Sequence, residues 1–355
     1  MEKKDLELLQ RLPLDIKVAK TKLRIQEWVK AYGIDGVFVS FSGGKDSTVL
    51  LHIAREIYPD IKAVYVDTGL EYPEVKQFVR TVDNVETIKP KKSFKQVIEE
   101  YGYPVISKEQ AEYIREAREG TEKVRNLRIN GNAKGQFKIS KKWMFMLDAP
   151  FKISDRCCHV MKKYPSKHYE KVTGRHPIVG SMASESILRQ TKYLQEGCNA
   201  FNNKRPMSMP MGFWTEQDVL QYIYENNIQI PSVYGHVLKD GNTYKNTGVD
   251  RTGCVFCLFG IHLEKGYNRV QRLQVTHPQL HAYILDKLGY REVMEYMGIP
   301  HTIPEAELPA AKEQILNGLT CTSCDKCSEG IQIAFDLEEK KDEPEDATKQ
   351  IMDGR

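Results

Sequence analysis

Two groups of residues in this sequence have the types and spacing to do chemistry. The first is Ser42-Gly43-Gly44-Lys45-Asp46-Ser47, where two glycines stand together ahead of a lysine and an aspartate. Side chains at Gly43 and Gly44 would keep the backbone N–H groups from converging on an anion such as phosphate. Lys45 supplies a point charge, Asp46 can orient a metal ion such as Mg2+ or a leaving pyrophosphate, and the Ser42 and Ser47 hydroxyls can donate to phosphate oxygens. The spacing is not that of the Walker loop. A strand-to-helix turn rich in small residues is the plain alternative, and it explains a lone Gly-Gly better than it explains the whole hexapeptide.

The second group is the cysteines, seven of eight of which stand in clusters. Cys157 and Cys158 are adjacent, Cys254 and Cys257 form a C-x-x-C, and Cys321, Cys324 and Cys327 form a C-x-x-C-x-x-C. In a reducing compartment such thiols bind metal or do redox chemistry rather than build a disulfide framework. Cys157-Cys158 and Cys254-x-x-Cys257 supply four thiolates in two pairs, which suit a tetrahedral zinc or an iron–sulfur cluster. Adjacent cysteines converge awkwardly on one small ion, whereas a four-iron cube has corners far enough apart to take both. Cys198, alone, reads as an ordinary core cysteine.

The elements that must position these groups alternate. Gly36 to Phe41 is a short apolar, β-branched run, Ser47 to Ile57 is helical, and the glycine loop lies between them. A second strand, Ile61 to Val66, runs into Asp67-Thr68-Gly69, followed by a helix from Pro73 to Val82. A third strand at Glu86 to Lys89, a helix from Ser93 to Tyr101 and a buried strand at His176 to Gly180 continue the pattern. The fold class expected is α/β, a doubly wound parallel sheet, in which ligands bind at the carboxyl ends of strands. Both the glycine loop and Asp67-Thr68-Gly69 fall there.

Four regions are expected: an N-terminal helical segment (1–34), a nucleotide-binding domain (35–230) with a basic insertion or lid at about 115–150, a cysteine-rich region (231–335) and a disordered acidic tail (336–355). Leu9, Leu12, Ile16, Ala19 and Leu23 mark an amphipathic helix across 5–31. Thr215 with Asp218 resembles a capping box opening a helix that runs to about Asn226. His262 and Glu264 suit a place near the second cysteine pair or a structural role equally, while Trp143, Phe145 and Trp214 read as core.

The formal charge of +4 divides into −4 on residues 336–355 (four Lys/Arg, eight Asp/Glu) and +8 on the rest. Residues 115–142 carry nine Lys/Arg against three Glu, and 152–175 carry seven against two acids. An anionic ligand is expected, and a nucleic acid on the basic region 115–175 is compatible with so moderate a bias. No run of 18 apolar residues occurs and the N-terminus has no apolar h-region, so a cytoplasmic protein without a membrane partner is expected. Homo-oligomerisation stays open.

Three further segments accompany the loop: Val66-Asp67-Thr68-Gly69 with Tyr72 and Pro73, Gly180 with Glu185-Ser186 and Arg189, and Trp214-Thr215 with Asp218-Val219 and Tyr222-Ile223. Over roughly residues 35–265 they resemble the phosphoadenosine phosphosulfate (PAPS) reductase family of the pyrophosphate-loop adenine nucleotide α-hydrolase superfamily. The resemblance implies an enzyme acting on an adenine nucleotide (ATP, adenylyl sulfate or phosphoadenylyl sulfate) held by Ser42 to Ser47. It implies that Asp67, Thr68 and Gly69 frame the adenosine, while Gly180, Glu185, Ser186 and Arg189 close on ribose or phosphates. Lys45, Asp46 and Arg189 are then the catalytic candidates, since an arginine offers planar bidentate donation to phosphate or sulfate. The Cys-Cys…C-x-x-C pattern resembles the iron–sulfur adenylyl sulfate reductases. This implies a [4Fe–4S] cluster on Cys157, Cys158, Cys254 and Cys257, with Arg156 and Lys162 or Lys163 as basic surroundings, and a thiol reductant such as thioredoxin, or a sulfur donor, as partner.

Two departures matter. The C-terminal Glu-Cys-Gly-Ile/Leu-His segment of the sulfate reductases is absent, so Cys321, Cys324 and Cys327 stand as nucleophile and resolving thiols, as a second metal site or as a sulfur relay. The intact Ser-Gly-Gly-Lys-Asp-Ser loop matches enzymes that cleave ATP between the α and β phosphates. That opens an ATP-cleaving sulfurtransferase acting on nucleic acid, as in DNA phosphorothioation or tRNA thiolation. A catalytically idle nucleotide-binding regulatory module is a reading from another class, and intact Lys45, Asp46, Glu185 and Arg189 weigh against it.

Overall fold

A computed structural model describes residues 2–317; Cys321, Cys324, Cys327 and the acidic tail lie outside the described residues. Short strands β1 (Val37–Ser40), β2 (Ala63–Val66), β3 (Val85–Ile88), β4 (Val105–Ile106), β5 (His176–Val179), β6 (Asn199–Ala200), β7 (Met207–Ser208), β8 (Val237–Asp240), β9 (Thr243–Asn246) and β10 (Leu258–Phe259) alternate with helices. The main sheet has the order β3-β2-β1-β5-β7-β6. Its first five strands are parallel and β6 runs antiparallel to β7 at one edge. In β1 and β5 the partners run from Val37 with His176 to Ser40 with Val179.

Helices α1 (Lys3–Gln10), α2 (Leu14–Tyr32), α3 (Lys45–Ile57), α4 (Pro73–Arg80), α5 (Phe94–Tyr101), α6 (Lys108–Glu119), α7 (Glu122–Asn130), α8 (Tyr164–Thr173), α9 (Ile187–Glu196) and α10 (Glu216–Glu225) accompany these strands. Val37 and Val39 of β1 pack with Ile25 and Trp28 of α2, Leu50 and Ile53 of α3 and Trp214. Phe38, on the opposite face of the same strand, packs with Val64 and Tyr169 of α8. Both faces of β1 are therefore covered, as a parallel doubly wound sheet requires.

A second core draws together α5, β4, α6, the 3-10 turn Lys141–Asp148, Cys157, and helices α11 (Arg269–Thr276), α12 (Pro278–Ala282) and α13 (Tyr290–Tyr296). The last described helix is α14 (Leu308–Asn317), which packs on α11. Parallel pairing of β4 with β10 stitches this second core across about 150 residues of sequence. The basic stretch belongs to it: Ile139, Trp143 and Met146 are buried there, so the segment read as an insertion or lid is part of a packed layer. Among the described residues no helix is long and apolar enough to cross a membrane.

The N-terminal segment differs from its expected form in two respects. It is two helices, broken ahead of Pro13, where the ring removes an N–H and disfavours helix in the preceding residue. The face turned inward is Lys17, Thr21, Ile25 and Trp28, whereas Ile16 and Leu23 of the expected stripe are exposed. Lys17 Nζ donates to Asp218 Oδ1 at 2.7 Å, to Oδ2 at 2.6 Å and to Gln10 O at 2.8 Å. Thr21 Oγ1 accepts from Trp214 Nε1 at 2.9 Å. Asp218 also completes the capping box with Thr215 that opens α10, so one carboxylate fixes two helices. Breaking a buried pair on one side leaves an uncompensated charge. Lys17→Met is expected to lower the free energy of unfolding by about 3 kcal/mol, and Lys17→Met with Asp218→Asn by less, as read by urea denaturation.

Candidate active site

In the sheet, β1 connects onward to β2 on one side while β5 pairs with its other side, so the switch point of the fold lies between β1 and β5. The glycine loop leaves the carboxyl end of β1 there and opens α3. Gly43 sits at φ +71°, and a Cβ on it would lie 2.8 Å from both Val75 Cγ1 and Val79 Cγ2, so α4 backs the loop closely. Ser47 Oγ donates to Gly44 O at 3.0 Å and accepts from Ser42 N–H at 3.1 Å, with Ser42 Oγ also 3.1 Å away. Thr48 Oγ1 donates to the same Gly44 carbonyl at 3.0 Å. These bonds hold the loop in shape from within.

The strand β5 brings its own connection against the loop. A Cβ on Gly180 would stand 3.1 Å from the Asp46 carbonyl oxygen and 3.2 Å from its carbon, so backbone meets backbone. Burial raises the Asp46 pKa, opposed by Lys45, reinforced by Glu216, and opposed again by Arg251 and Arg189. Beyond Gly180, Glu185 accepts from Met182 N–H at 3.0 Å and pairs with Arg189. Ser186 Oγ caps α9, accepting from Arg189 N–H at 3.3 Å. Partial burial lowers the Arg189 pKa, and Asp46 opposes that shift. The expected residues at Ser42–Ser47, Gly180 and Arg189 thus share one crevice.

Asp67, Thr68 and Gly69 leave β2 on the neighbouring strand end. Asp67, largely buried, pairs with Lys76 at 2.9 Å and accepts from Gly69 N–H at 3.2 Å. Thr68 Oγ1 donates to Glu71 at 2.8 Å. The turn then reaches the cysteines: Leu70 O accepts from Val255 N–H at 2.7 Å, and Glu71 pairs with Lys162 at 3.5 Å.

Cys157, Cys158, Cys254 and Cys257 lie close enough to influence one another's proton affinity. Cys158 hydrogen-bonds with Cys157 and faces Lys108, Lys162 and Lys163, which holds its thiol below the ordinary range. Cys157 is pushed up, first by that same bond and then by burial. Burial pushes Cys254 up, and Cys257 up to about 11. Arg269 donates to Cys257 O at 3.1 Å while paired with Glu264. Among the described residues no three His, Cys, Asp or Glu side chains are gathered as ligands of one metal ion; the thiols stand as two neighbouring pairs. His262 lies edge-on to Trp143 at 5.0 Å and Glu264 pairs with Arg269 and Arg272. Cys198 is 3.3 Å from Tyr193 Oη and away from the crevice. Trp143 and Trp214 are buried as expected, but Phe145 is 42% exposed, lying over Tyr296 at the edge of the second core.

Residues 231–252, which carry no recognised motif, close over the loop. The hairpin β8–β9 is pinned to α10 by Gln217, which donates to Tyr244 O at 2.9 Å and accepts from Tyr244 N–H at 2.7 Å. Tyr234 Oη lies 2.5 Å from Thr252 Oγ1 and would be 3.3 Å from a Cβ on Gly44. Lys45, 5% exposed, turns its ammonium to Asn246 Oδ1 at 3.1 Å, to Glu216 Oε1 at 3.3 Å and to the Tyr234 ring at 5.3 Å. Tyr234, Asn246, Glu216 and Arg251 are therefore site residues that sequence reading missed; only their nearness to Thr215-Asp218 and to Cys254 hinted at them. In the basic stretch, Arg115 pairs with Asp155, Arg118 donates to the carbonyls of Met146, Leu147, Ala149 and Phe151, and Arg128 pairs with Glu116. These three are structural, while Lys123, Arg125, Lys134, Lys138, Lys141 and Lys142 are exposed.

A mostly parallel sheet covered by helices, with a glycine loop at its switch point, defines an α/β protein. The family model described as the phosphoadenosine phosphosulfate reductase domain matches residues 36–258, and the chain belongs to that family. An uncharacterized protein of Methanocaldococcus jannaschii, MJ0973, is 26% identical over 271 residues, which cover 74% of this chain and 50% of that protein. The chain thus spans about half the length of that relative. Phosphoadenosine 5'-phosphosulfate reductase of Xylella fastidiosa is 38% identical over 55 residues, 16% of this chain and 23% of that enzyme. Among solved structures, the PAPS reductase of Candida auris in its phosphate complex aligns with a TM-score of 0.37 at 14% identity, covering 68% of this chain and 98% of the other. FMN adenylyltransferase of Candida glabrata aligns with a TM-score of 0.35 at 13% identity, covering 66% and 71%.

Two glycines of the site separate strain from collision. Gly69, at φ +70°, has open space where a Cβ would stand, whereas Gly43 does not. Gly69→Ala is expected to cost about 1 kcal/mol and Gly43→Ala about 2 kcal/mol or more, compared by thermal unfolding.

Proposed function

We propose that this chain is an enzyme of sulfur metabolism that binds an adenylylated nucleotide on Ser42 to Ser47 and reduces or transfers a sulfur group beside Cys157, Cys158, Cys254 and Cys257. The observation that carries this reading is the turn from Asp67 to Glu71. It leaves the sheet at the nucleotide crevice and bonds to both cysteine segments, through Val255 and Lys162. Chemistry begun at a phosphate can therefore act on sulfur within one site.

The four thiols suit a [4Fe–4S] cluster, which takes cysteine thiolates at separate corners. Lys108, Lys162, Lys163 and Arg269 stand where they offset the negative charge of such a group. When bound, a cluster supplies electrostatic polarisation beside the sulfur. In the reductase form a thiolate attacks the sulfonyl sulfur of adenylyl or phosphoadenylyl sulfate. An S–S bond forms, the S–O bond to phosphate breaks, and the nucleotide leaves with the electron pair. Lys45, Arg189 and the loop amides stabilise the charge on that leaving phosphate. A second thiol, from a dithiol reductant such as thioredoxin, attacks the protein sulfur, so that sulfite departs and the two thiols end as a disulfide. Cys321, Cys324 and Cys327 are the candidates for the first thiolate.

A second reading is favoured by the intact loop and by Arg251, which stands with Arg189 around Asp46. In it an acceptor oxygen attacks the α phosphorus of ATP and pyrophosphate leaves; sulfide-level sulfur from a donor then attacks the adenylated acceptor, a bond to sulfur forms and AMP leaves with the oxygen. The exposed lysines of the second core would serve a nucleic-acid acceptor by phosphate contacts.

Product analysis on anaerobically purified protein separates the two. With adenylyl sulfate, phosphoadenylyl sulfate and ATP supplied in parallel, each with thioredoxin or dithiothreitol, sulfite and a nucleotide monophosphate or bisphosphate are expected from a sulfate ester. AMP and pyrophosphate from ATP alone, with both esters untouched, would select the second reading. Lys45→Ala is expected to lower turnover by about 100-fold in either form. Iron analysis should return about four iron atoms per chain, lost on Cys254→Ser; iron-free protein of full activity would remove the cluster from the proposal.

A further inference from the structure

Lys45 is the loop's cation, and its ammonium is nearly shut off from water. A buried ammonium needs a counter-charge and oriented acceptors. The structure supplies these from outside the loop, and the suppliers are of two kinds. Asn246 is fixed: its Nδ2 donates to Val249 O at 2.8 Å and to Tyr234 O at 3.3 Å, so its Oδ1 must face Lys45. Tyr234 is fixed as well, being buried with its hydroxyl on Thr252. Glu216 is not held in this way. Its side chain is 45% exposed, its ion pair with Lys45 is long at 3.3 Å, and the capping box of α10 uses Thr215 and Asp218 instead.

Resting on the nucleotide reading above, we propose that Glu216 is a placeholder counter-ion for Lys45, displaced when a phosphate of the nucleotide reaches the loop, and that Asn246 and Tyr234 are positioning residues that keep the ammonium in place during the exchange. A phosphate brings more negative charge to Lys45 than one carboxylate does, and it repels Glu216 at the same time. The exposed carboxylate swings into water at little cost. The arrangement keeps the empty loop folded around a charged lysine while leaving the anion site selective: a ligand must offer enough charge to displace a carboxylate. A neutral nucleoside does not meet that condition, whereas a di- or triphosphate or a sulfated phosphate does.

The test is calorimetric titration of the full-length, anaerobically purified chain with inorganic pyrophosphate and with ATP, each with and without Mg2+. Glu216→Gln is expected to bind pyrophosphate about three- to fivefold more tightly than the parent, with the gain shrinking as salt is added and the unfolding temperature unchanged. A side chain with only a structural role gives no such gain. Asn246→Ala is expected to bind about threefold or more weakly. Glu216→Gln with equal or weaker affinity overturns the placeholder role. Weaker binding confined to the Mg2+ arm assigns Glu216 to the cation and also overturns it. Unchanged affinity in Asn246→Ala overturns its positioning role. If the parent binds neither pyrophosphate nor ATP, nor adenylyl sulfate or phosphoadenylyl sulfate titrated in the same way, the nucleotide reading itself fails and this inference with it.

Discussion

The parallel pairing of β1 with β5 is the constraint on which the rest of the site depends. Because the chain leaves β1 toward β2 on one side and returns as β5 on the other, the connections after these two strands diverge at their base and then meet above the sheet. Gly180 sits with its missing Cβ against the Asp46 carbonyl. A larger residue there would push against the loop backbone, so the shape of the loop depends on the absence of one carbon atom. The internal bonds of the loop, Ser42 to Ser47 and Ser47 to Gly44, need only hold what that crossing defines.

From this junction the second core is reached through a single turn. Thr68 and Glu71 are satisfied by one another, which frees the Leu70 carbonyl for Val255 and the outer side of Glu71 for Lys162. The cysteine pairs are consequently anchored to a strand end of the main sheet and by β4–β10 pairing to the second core. A thiol group held from two sides in this way has little freedom to move relative to the phosphate loop.

The sequence was most legible where a local rule decides the outcome. Strand, glycine loop and helix around residues 36–57 follow from β-branched residues, glycines and a buried helical face within twenty residues of one another, and the capping box at Thr215 and Asp218 is equally local. It was least legible where a distant partner decides. Counting apolar residues on α2 selects Ile16 and Leu23, yet the buried face carries Lys17 and Thr21, because Asp218 and Trp214, about 200 positions away, receive them. The same holds for Tyr234 and Asn246. Neither has a motif, and their role arises only when the β8–β9 hairpin docks on α10 through Gln217. Phe145 is exposed for the converse reason: its 3-10 turn places Trp143 and Met146 inward and leaves the residue between them at the rim.

Charge explains why such distant partners are needed at all. The loop carries Lys45 and Asp46 side by side, both largely withdrawn from water, and each would be costly alone. Each has partners from beyond the loop: Glu216, Asn246 and Tyr234 meet the lysine, while Arg251 and Arg189, with Lys45 itself, oppose the effect of burial on the aspartate. Arg189 is in turn paired with Glu185 and Lys45 with Glu216, so Lys45, Arg189 and Arg251 are matched at the crevice by Asp46, Glu185 and Glu216. These charges are gathered where β1 and β5 end, apart from the basic surface of the second core, part of which is tied up in holding carbonyls and carboxylates of its own. The overall basic composition is therefore a poor guide to the charge balance of this crevice.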